Sequence, residues 1–248
     1  MHLEGRASHS IWDERISQTF IDYGRYFVPE RERQFQIIVD LVPRFEQPGI
    51  IELCCGEGLL AQMLLEQIPA YIVYGFDGSA EMLQRAKERL ARFGERFQAK
   101  PFDLFAKSWR KTDHPVHTVV TSLAIHHLDG AQKQELFHDV YNLLLPGGSF
   151  IMADIVEPAH PLGWRLAAKA WDEAVRERAL ELDGTSDGFD FFEGERWNIF
   201  RHFDPKDLDK PSRLLDQLKW LELAGFVDID VYWMSAGHAI FSGWKPGF

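Results

Sequence analysis

From Ile50 to Ala61 the chain reads Ile-Ile-Glu-Leu-Cys-Cys-Gly-Glu-Gly-Leu-Leu-Ala, and nine residues later it reads Tyr-Ile-Val-Tyr-Gly-Phe-Asp, ending at Asp77. An apolar run, a glycine turn, a helical stretch and a second apolar run closing on a carboxylate constrain the fold to a βαβ unit. Gly56 and Gly58 can take backbone angles closed to other residues and let a ligand approach the main chain. Asp77 follows about 20 residues on, where a ribose hydroxyl would be bound, so the unit reads as a nucleotide-type cofactor site.

The same rhythm continues. Strands are expected at Ile50 to Cys54, Tyr71 to Phe76, Phe97 to Phe102, Val116 to Leu123 and Ser149 to Ile155, with helices at Leu59 to Gln67, Ser79 to Phe93 and Ala131 to Leu145. Strands alternating with helices of this length give right-handed crossovers and a mostly parallel sheet. The expected class is therefore α/β, Rossmann-like and doubly wound. Two helices, Ser10 to Phe27 and Glu30 to Phe45, precede the first strand, and Pro48-Gly49 closes the second of them. After Ile155 the pattern breaks into a Pro- and aromatic-rich insertion with one helix, Trp164 to Leu182, and a loop from Asp183 to Phe192. It resumes with helix Ser212 to Ala224 and two apolar runs, Phe226 to Met234 and Ala239 to Trp244. The short link between those runs indicates an antiparallel hairpin at the end of the sheet. The expected organisation is an N-terminal helical lid (1–48), a core (49–156 and 212–248) and a cap insertion (157–211).

Composition narrows the partners. In 248 residues, 46% apolar and 26% charged is ordinary for a globular chain, and a net charge of −11 argues against binding along a nucleic-acid backbone. Arg85, Lys87, Arg89, Arg92 and Arg96 gather on one helix, but Glu81, Glu88 and Glu95 interleave them, as on a solvated face. Cys54 and Cys55, the only cysteines, are adjacent in an expected strand and point to opposite faces, so a reducing compartment is indicated. No signal-peptide core or membrane-length apolar run is present, and a cytoplasmic location without membrane contact is expected.

The glycine turn Gly56-Glu57-Gly58-Leu59-Leu60-Ala61 also satisfies the dinucleotide pattern, which keeps an NAD-dependent oxidoreductase as a third reading. Glu52 points elsewhere, because a carboxylate inside a buried parallel strand needs a cationic or donor partner. An ammonium-bearing cofactor supplies one. The chain resembles the class I S-adenosylmethionine-dependent methyltransferases over most of its length. The first family motif is matched by Glu52-Leu-Cys-Cys-Gly56-Glu-Gly58, with Cys54 where a glycine usually stands. Asp77-Gly-Ser-Ala-Glu-Met82 is similar to the ribose motif and Phe102-Asp103-Leu104 to the adenine motif. Thr121-Ser-Leu-Ala-Ile-His-His-Leu, followed later by Leu-Leu-Pro-Gly-Gly, is similar to versions acting on small molecules.

The resemblance implies a seven-stranded sheet with an antiparallel C-terminal strand, S-adenosyl-L-methionine as cofactor and S-adenosyl-L-homocysteine as product. It implies a cofactor set of Glu52, Cys54, Gly56, Gly58, Asp77, Gly78, Met82, Asp103, Leu104 and Ser122, with Tyr26 from the lid. In-line methyl transfer needs placement in a dry site, hence a lid drawn from Tyr23, Arg25, Tyr26, Phe27 and the cap aromatics Trp164, Trp171, Phe189, Phe191, Phe192, Trp197 and Phe200. His126 and His127, at the carboxyl end of the fourth strand, are the candidate bases for a small organic acceptor. Asp154 and Glu157 lie near the same edge. His160, His202 and His238 lack zinc spacing, and no metal is expected. Glu57 is expected to face solvent, and the protein to be a monomer or homodimer. The alternatives are a relative that modifies the tRNA wobble uridine and a cofactor-binding module without catalysis.

Overall fold

The computed structural model describes residues 13–45, 49–112 and 114–247. Among these described residues seven strands form one sheet: β1 (Gly49–Leu53), β2 (Ile72–Asp77), β3 (Phe97–Pro101), β4 (Val116–Ser122), β5 (Ser149–Ile155), β6 (Val227–Ser235) and β7 (His238–Trp244). Their order is β3-β2-β1-β4-β5-β7-β6. The first five pair in parallel, and β7 enters antiparallel between β5 and β6. From β1 the chain winds outward through β2 and β3, then crosses to β4 and β5. That reversal opens a crevice beyond the carboxyl ends of β1 and β4, the place where open α/β sheets bind ligands.

Strands β1 and β5 are buried along their whole length, which is why they read as largely apolar runs. Alternation still sorts their neighbours. Ile50 packs with helices α2 (Arg31–Leu41), α3 (Leu59–Gln67) and α4 (Ala80–Leu90) through Ile38, Leu60, Leu64 and Ala86. Ile51 and Leu53 face the opposite layer, α5 (Gly130–Leu143) and α9 (Leu214–Ala224), through Leu136, Phe137, Val140 and Leu221. Capping sets the helix starts: Ser79 accepts the Met82 N–H, and Asp129 and Gln132 form a reciprocal capping box, one residue earlier than the sequence suggests. The α4 helix stops at Leu90 rather than running to Phe93, because a tighter turn with Gly94 at φ 56° follows.

The lid and the cap share one core. Helix α1 (Glu14–Phe27) begins on the Asp13 cap; Ser10 to Trp12 and Pro48 of the expected elements lie outside the described residues. Phe27 packs with Trp171 of α6 (Pro161–Asp183) and Phe192 of α7 (Asp187–Gly194), Tyr23 stacks on Phe191 at 3.6 Å, and the Trp171 indole N–H donates to the Phe27 carbonyl at 2.7 Å. The stretch expected as a loop is therefore partly helical. Its Asp, Gly and Ser content signals a turn, but Phe189 and Phe192 lie three apart and both bury. A further short helix, α8 (Ile199–His202), follows. The insertion leaves and returns at one point, since Val156 bridges Ser212 and the Glu157 N–H donates to the Ser212 carbonyl at 3.0 Å.

Candidate active site

A cavity of about 740 Å³ lies at the sheet's switch point, floored by the ends of β1, β2 and β4 and roofed by α1, the start of α2 and the cap. Of the residues expected at the cofactor, Glu52, Cys54, Gly56, Asp77, Gly78, Met82, Asp103, Leu104 and Ser122 line it, together with His126 and His127.

One half of the cavity is built around the glycine turn. The expected strand end is corrected here: β1 closes at Leu53, and Cys54 turns into the left-handed region at φ 54°. A glycine would take that conformation freely; Cys54 holds it at a cost of about 1–2 kcal/mol. Burial pushes the Cys54 thiol well up, so it is neutral and no nucleophile. Gly56 and Gly58, at φ 53° and 80°, differ in purpose. A Cβ on Gly56 would meet only the Met82 Sδ, at 3.8 Å, so this glycine opens to the cavity. One on Gly58 would lie 2.9 Å from Leu90 Cδ1 and 3.2 Å from Ala86 Cβ. Gly58 thus serves the packing of α3 on α4 and does not line the cavity, a correction to its expected cofactor role.

Two carboxylates point into this half. Asp77 Oδ2 accepts the Gly56 N–H at 2.8 Å and Oδ1 the Ser79 N–H at 2.9 Å. Burial pushes Asp77 up while those N–H groups oppose it. Glu52 is 3% exposed, and its Oε2 has no hydrogen-bond partner among the described residues. Burial first, and the Asp77 charge second, hold its carboxyl well above the usual range. A buried orphan acceptor of this kind is stabilised by a donor cation. Asp103 Oδ1 accepts the Phe105 N–H at 2.9 Å. From the roof, Glu14 accepts from the Ser79 hydroxyl at 2.6 Å and the Ala80 N–H at 2.9 Å, closing α1 onto the N-terminus of α4. Glu57 does not simply face solvent, since it pairs with Arg89 at 2.6 Å.

Tyr26 also departs from expectation. The cavity face of α1 carries Phe20 and Phe27, and Tyr26 is displaced from Phe27 by one helical step of about 100°. Its ring packs beneath Gly188 and its hydroxyl meets Arg25 and Asp183, so it belongs to the cap core and not to the cavity.

The other half centres on His126. After β4 the chain turns through Leu123 at φ 55°, an unusual angle for a bulky residue, into a tight turn over Ile125–His127. That turn brings His126 against Asp154 of β5. The Nδ1–H donates to Asp154 Oδ1 at 2.5 Å, and Asp154 Oδ2 accepts the His126 backbone N–H at 2.9 Å. Burial alone would pull His126 down, but the Asp154 and Asp209 carboxylates outweigh it and raise the imidazole above its ordinary value. Burial likewise would raise Asp154, and the His126 charge and hydrogen bonds hold it below the carboxylate range. His127 is lowered, chiefly by burial and then by His126.

Asp209 was not legible from the sequence. Its Oδ1 lies 3.1 Å from His127 Nδ1 and 3.6 Å from His126 Nε2. It sits in an acidic loop without periodicity, and only the fold's return path brings it here. Buried Lys133, pulled down to about 8 mainly by burial, fixes that path by donating to the Lys210 carbonyl at 2.6 Å and the Ser212 hydroxyl at 2.8 Å, while the Lys210 N–H donates to the His126 carbonyl. His126, His127 and Asp209 place one donor atom each within 4.8 Å of one another, a set that a metal ion could share. Glu157 does not line the cavity; His160 caps α6, and His238, pulled down to about 4 by burial, donates to the Ala236 carbonyl.

Residues 50–148 match the family described as a methyltransferase domain. That segment is thus similar to methyltransferase domains. An uncharacterized methyltransferase of Synechocystis sp. is 33% identical to the chain over 143 residues, which are 57% of this chain and 64% of the relative. A trans-aconitate 2-methyltransferase of Variovorax paradoxus is 28% identical over 155 residues, 61% of this chain and 57% of the relative. The chain thus spans about three fifths of the length of these relatives. Among solved structures, a putative O-methyltransferase from Nostoc punctiforme has the same fold, with a TM-score of 0.66 at 16% identity over 97% of this chain and 64% of that one.

The matched methyltransferase domain contains Glu52, the glycine turn, Asp77, Asp103 and His126-His127, whereas Arg31, Trp171, Trp197 and Asp209 lie outside it. Residues inside and outside the matched segment therefore line one cavity. Among the described residues no helix is long and apolar enough to cross a membrane.

Proposed function

We propose that the protein transfers a methyl group from S-adenosylmethionine to a small organic acceptor enclosed beneath the roof. The observation that carries this reading is that one cavity, within the usual ~300–1,000 Å³ of a small-molecule site, holds both the orphaned Glu52 carboxylate and the Asp154-oriented His126. Glu52 takes the cofactor's ammonium, the open backbone at Gly56 gives the ligand close approach, Asp77 accepts from the ribose and Asp103 from the adenine amine. S-adenosylmethionine held by these residues would supply a sulfonium methyl carbon to the acceptor's lone pair, with S-adenosylhomocysteine as the leaving product.

The chain's own work is positioning and proton transfer. Asp154 fixes the His126 tautomer with Nδ1 protonated, so Nε2 is the basic atom for a hydroxyl, acidic carbon or protonated amine of the acceptor. Phe27, Trp171 and Trp197 exclude water from the roof side. Transfer of a radiolabelled methyl group to a panel of small acceptors tests the reading. Transfer that falls about 10²- to 10⁴-fold in His126→Ala, with unchanged S-adenosylhomocysteine binding, supports it. Transfer unaffected by that substitution removes the assigned base.

A further inference from the structure

Three donor groups converge in the His126 half of the cavity. His126, His127 and Asp209 all line it, and one donor atom of each lies within 4.8 Å of the others. Adjacent residues on a strand point to opposite faces, but the tight turn over Ile125–His127 sets the two imidazoles side by side, ring centres 4.1 Å apart at 59°. His126 Nε2 stands 3.6 Å and His127 Nδ1 3.1 Å from Asp209 Oδ1. Two ligands of one tetrahedral zinc ion, each bonded at about 2.0–2.2 Å, are roughly 3.3–3.5 Å apart, a separation that the two observed spacings bracket. The groups are also held in place. Asp154 takes the His126 Nδ1–H, which leaves Nε2 as the lone-pair atom, and a carboxylate behind the imidazole is what orients metal-ligating histidines. Asp209 is fixed through the next residue, since the Lys210 N–H donates to the His126 carbonyl and the Lys210 carbonyl accepts from buried Lys133.

We propose that His126, His127 and Asp209 form a binding site for a divalent transition-metal ion of the zinc class, with the remaining coordination position open to the cavity. Two imidazoles and one carboxylate suit zinc or cobalt(II), whereas magnesium and calcium take sets of oxygens. The cofactor half of the cavity offers the competing ligands: the Cys54 and Cys55 thiols and the Glu52, Asp77 and Asp103 carboxylates. Burial holds both thiols well up and so disfavours the thiolates that zinc requires, while Asp77 and Asp103 already accept backbone N–H groups. Resting on the reading of His126 as the base, metal occupancy and methyl transfer exclude one another, because both need the Nε2 lone pair. Metal binding itself does not depend on that reading.

The test is titration of untagged, metal-free protein with cobalt(II), read by the visible absorption of the bound ion, with other metals added in competition. A single equivalent should bind, zinc should displace it, and magnesium and calcium should not. Asp154→Asn, which touches no metal but loses the carboxylate that orients His126, should weaken binding about 10- to 100-fold, and His127→Ala and Asp209→Asn should each weaken it at least as much. Melting curves of the three variants confirm that they fold, and His127→Gln replaces His127→Ala where that one does not. Binding that survives all of these substitutions, or that is lost in Cys55→Ala and kept in His127→Ala, would overturn the proposal, as would displacement by magnesium. Failure of the wild type to bind cobalt, with methyl transfer still dependent on His126, would refute the metal site alone. Cobalt binding with the predicted losses, in a protein whose transfer ignores His126→Ala, would support the metal site and refute the base.

Discussion

Asp154 holds His126 at two points, through the ring Nδ1–H at 2.5 Å and the backbone N–H at 2.9 Å. One carboxylate so fixes tautomer, ring plane and main chain at once, and directs Nε2 toward Asp209. Because the two carboxylates raise the imidazole, the base form gains population only above His126's ordinary value of about 6.5. The rate should therefore climb with pH through a midpoint above that value. In Asp154→Asn the midpoint should fall below it and kcat should drop about 10²-fold or more. Stability carries the opposite sign. A raised histidine stabilises fully below its unfolded value and loses that contribution as pH rises through the folded one, so the melting temperature should decline over the window in which the rate climbs. Rate–pH profiles and melting curves of both proteins check this.

Glu52 should report cofactor binding as a released proton. Burial keeps its carboxyl well above the usual range before binding. An ammonium ion beside Oε2 stabilises the charged form, so binding ionises the group and affinity rises with pH. The apparent enthalpy of S-adenosylhomocysteine binding should differ between buffers of different ionisation enthalpy for the wild type. Glu52→Gln should lose that difference and bind about 10-fold more weakly.

The two turn glycines should fail differently. Gly58→Ala places a methyl 2.9 Å from Leu90 Cδ1 at a φ of 80°, and should lower unfolding free energy by about 2 kcal/mol or more. Gly56→Ala meets nothing closer than 3.8 Å and carries only the left-handed backbone cost of about 1–2 kcal/mol at φ 53°. Its methyl points where a ligand would lie, so it should weaken cofactor binding more than stability. Denaturant titration and ligand titration of each variant separate the two effects.

Local pattern carried most of the fold into view. Strands β1 and β5 are buried on both faces, and the five strands from Ile50 to Ile155 are flanked by cappers and glycines, so the pattern places them to within a residue or two. Glu52 and Asp77 were legible because a carboxylate in or closing an apolar strand is conspicuous. Three features were not. Tyr26 and Phe27 are adjacent, and only the packing of α1 decides which one faces the cavity. The difference between Gly56 and Gly58 depends on where α4 passes. Asp209 enters the site because Lys133 fastens its loop through the Lys210 carbonyl, 77 residues further on. Each is a long-range contact with no periodic trace.

His126, His127 and Asp209 could bind zinc in competition with their acid–base role. The account predicts that dialysis against a chelator leaves methyl transfer unchanged and that added zinc inhibits it. Inhibition should weaken in His127→Ala, with residual rate measured against zinc concentration. Activity lost on chelation and restored by zinc would make the ion part of the reaction.

The most direct test is calorimetric titration of the purified protein with S-adenosylhomocysteine and with NADH, beside Asp77→Ala. The account predicts saturable binding of S-adenosylhomocysteine that Asp77→Ala abolishes or weakens at least about 10-fold, and no binding of NADH. Saturable NADH binding without S-adenosylhomocysteine binding would contradict it.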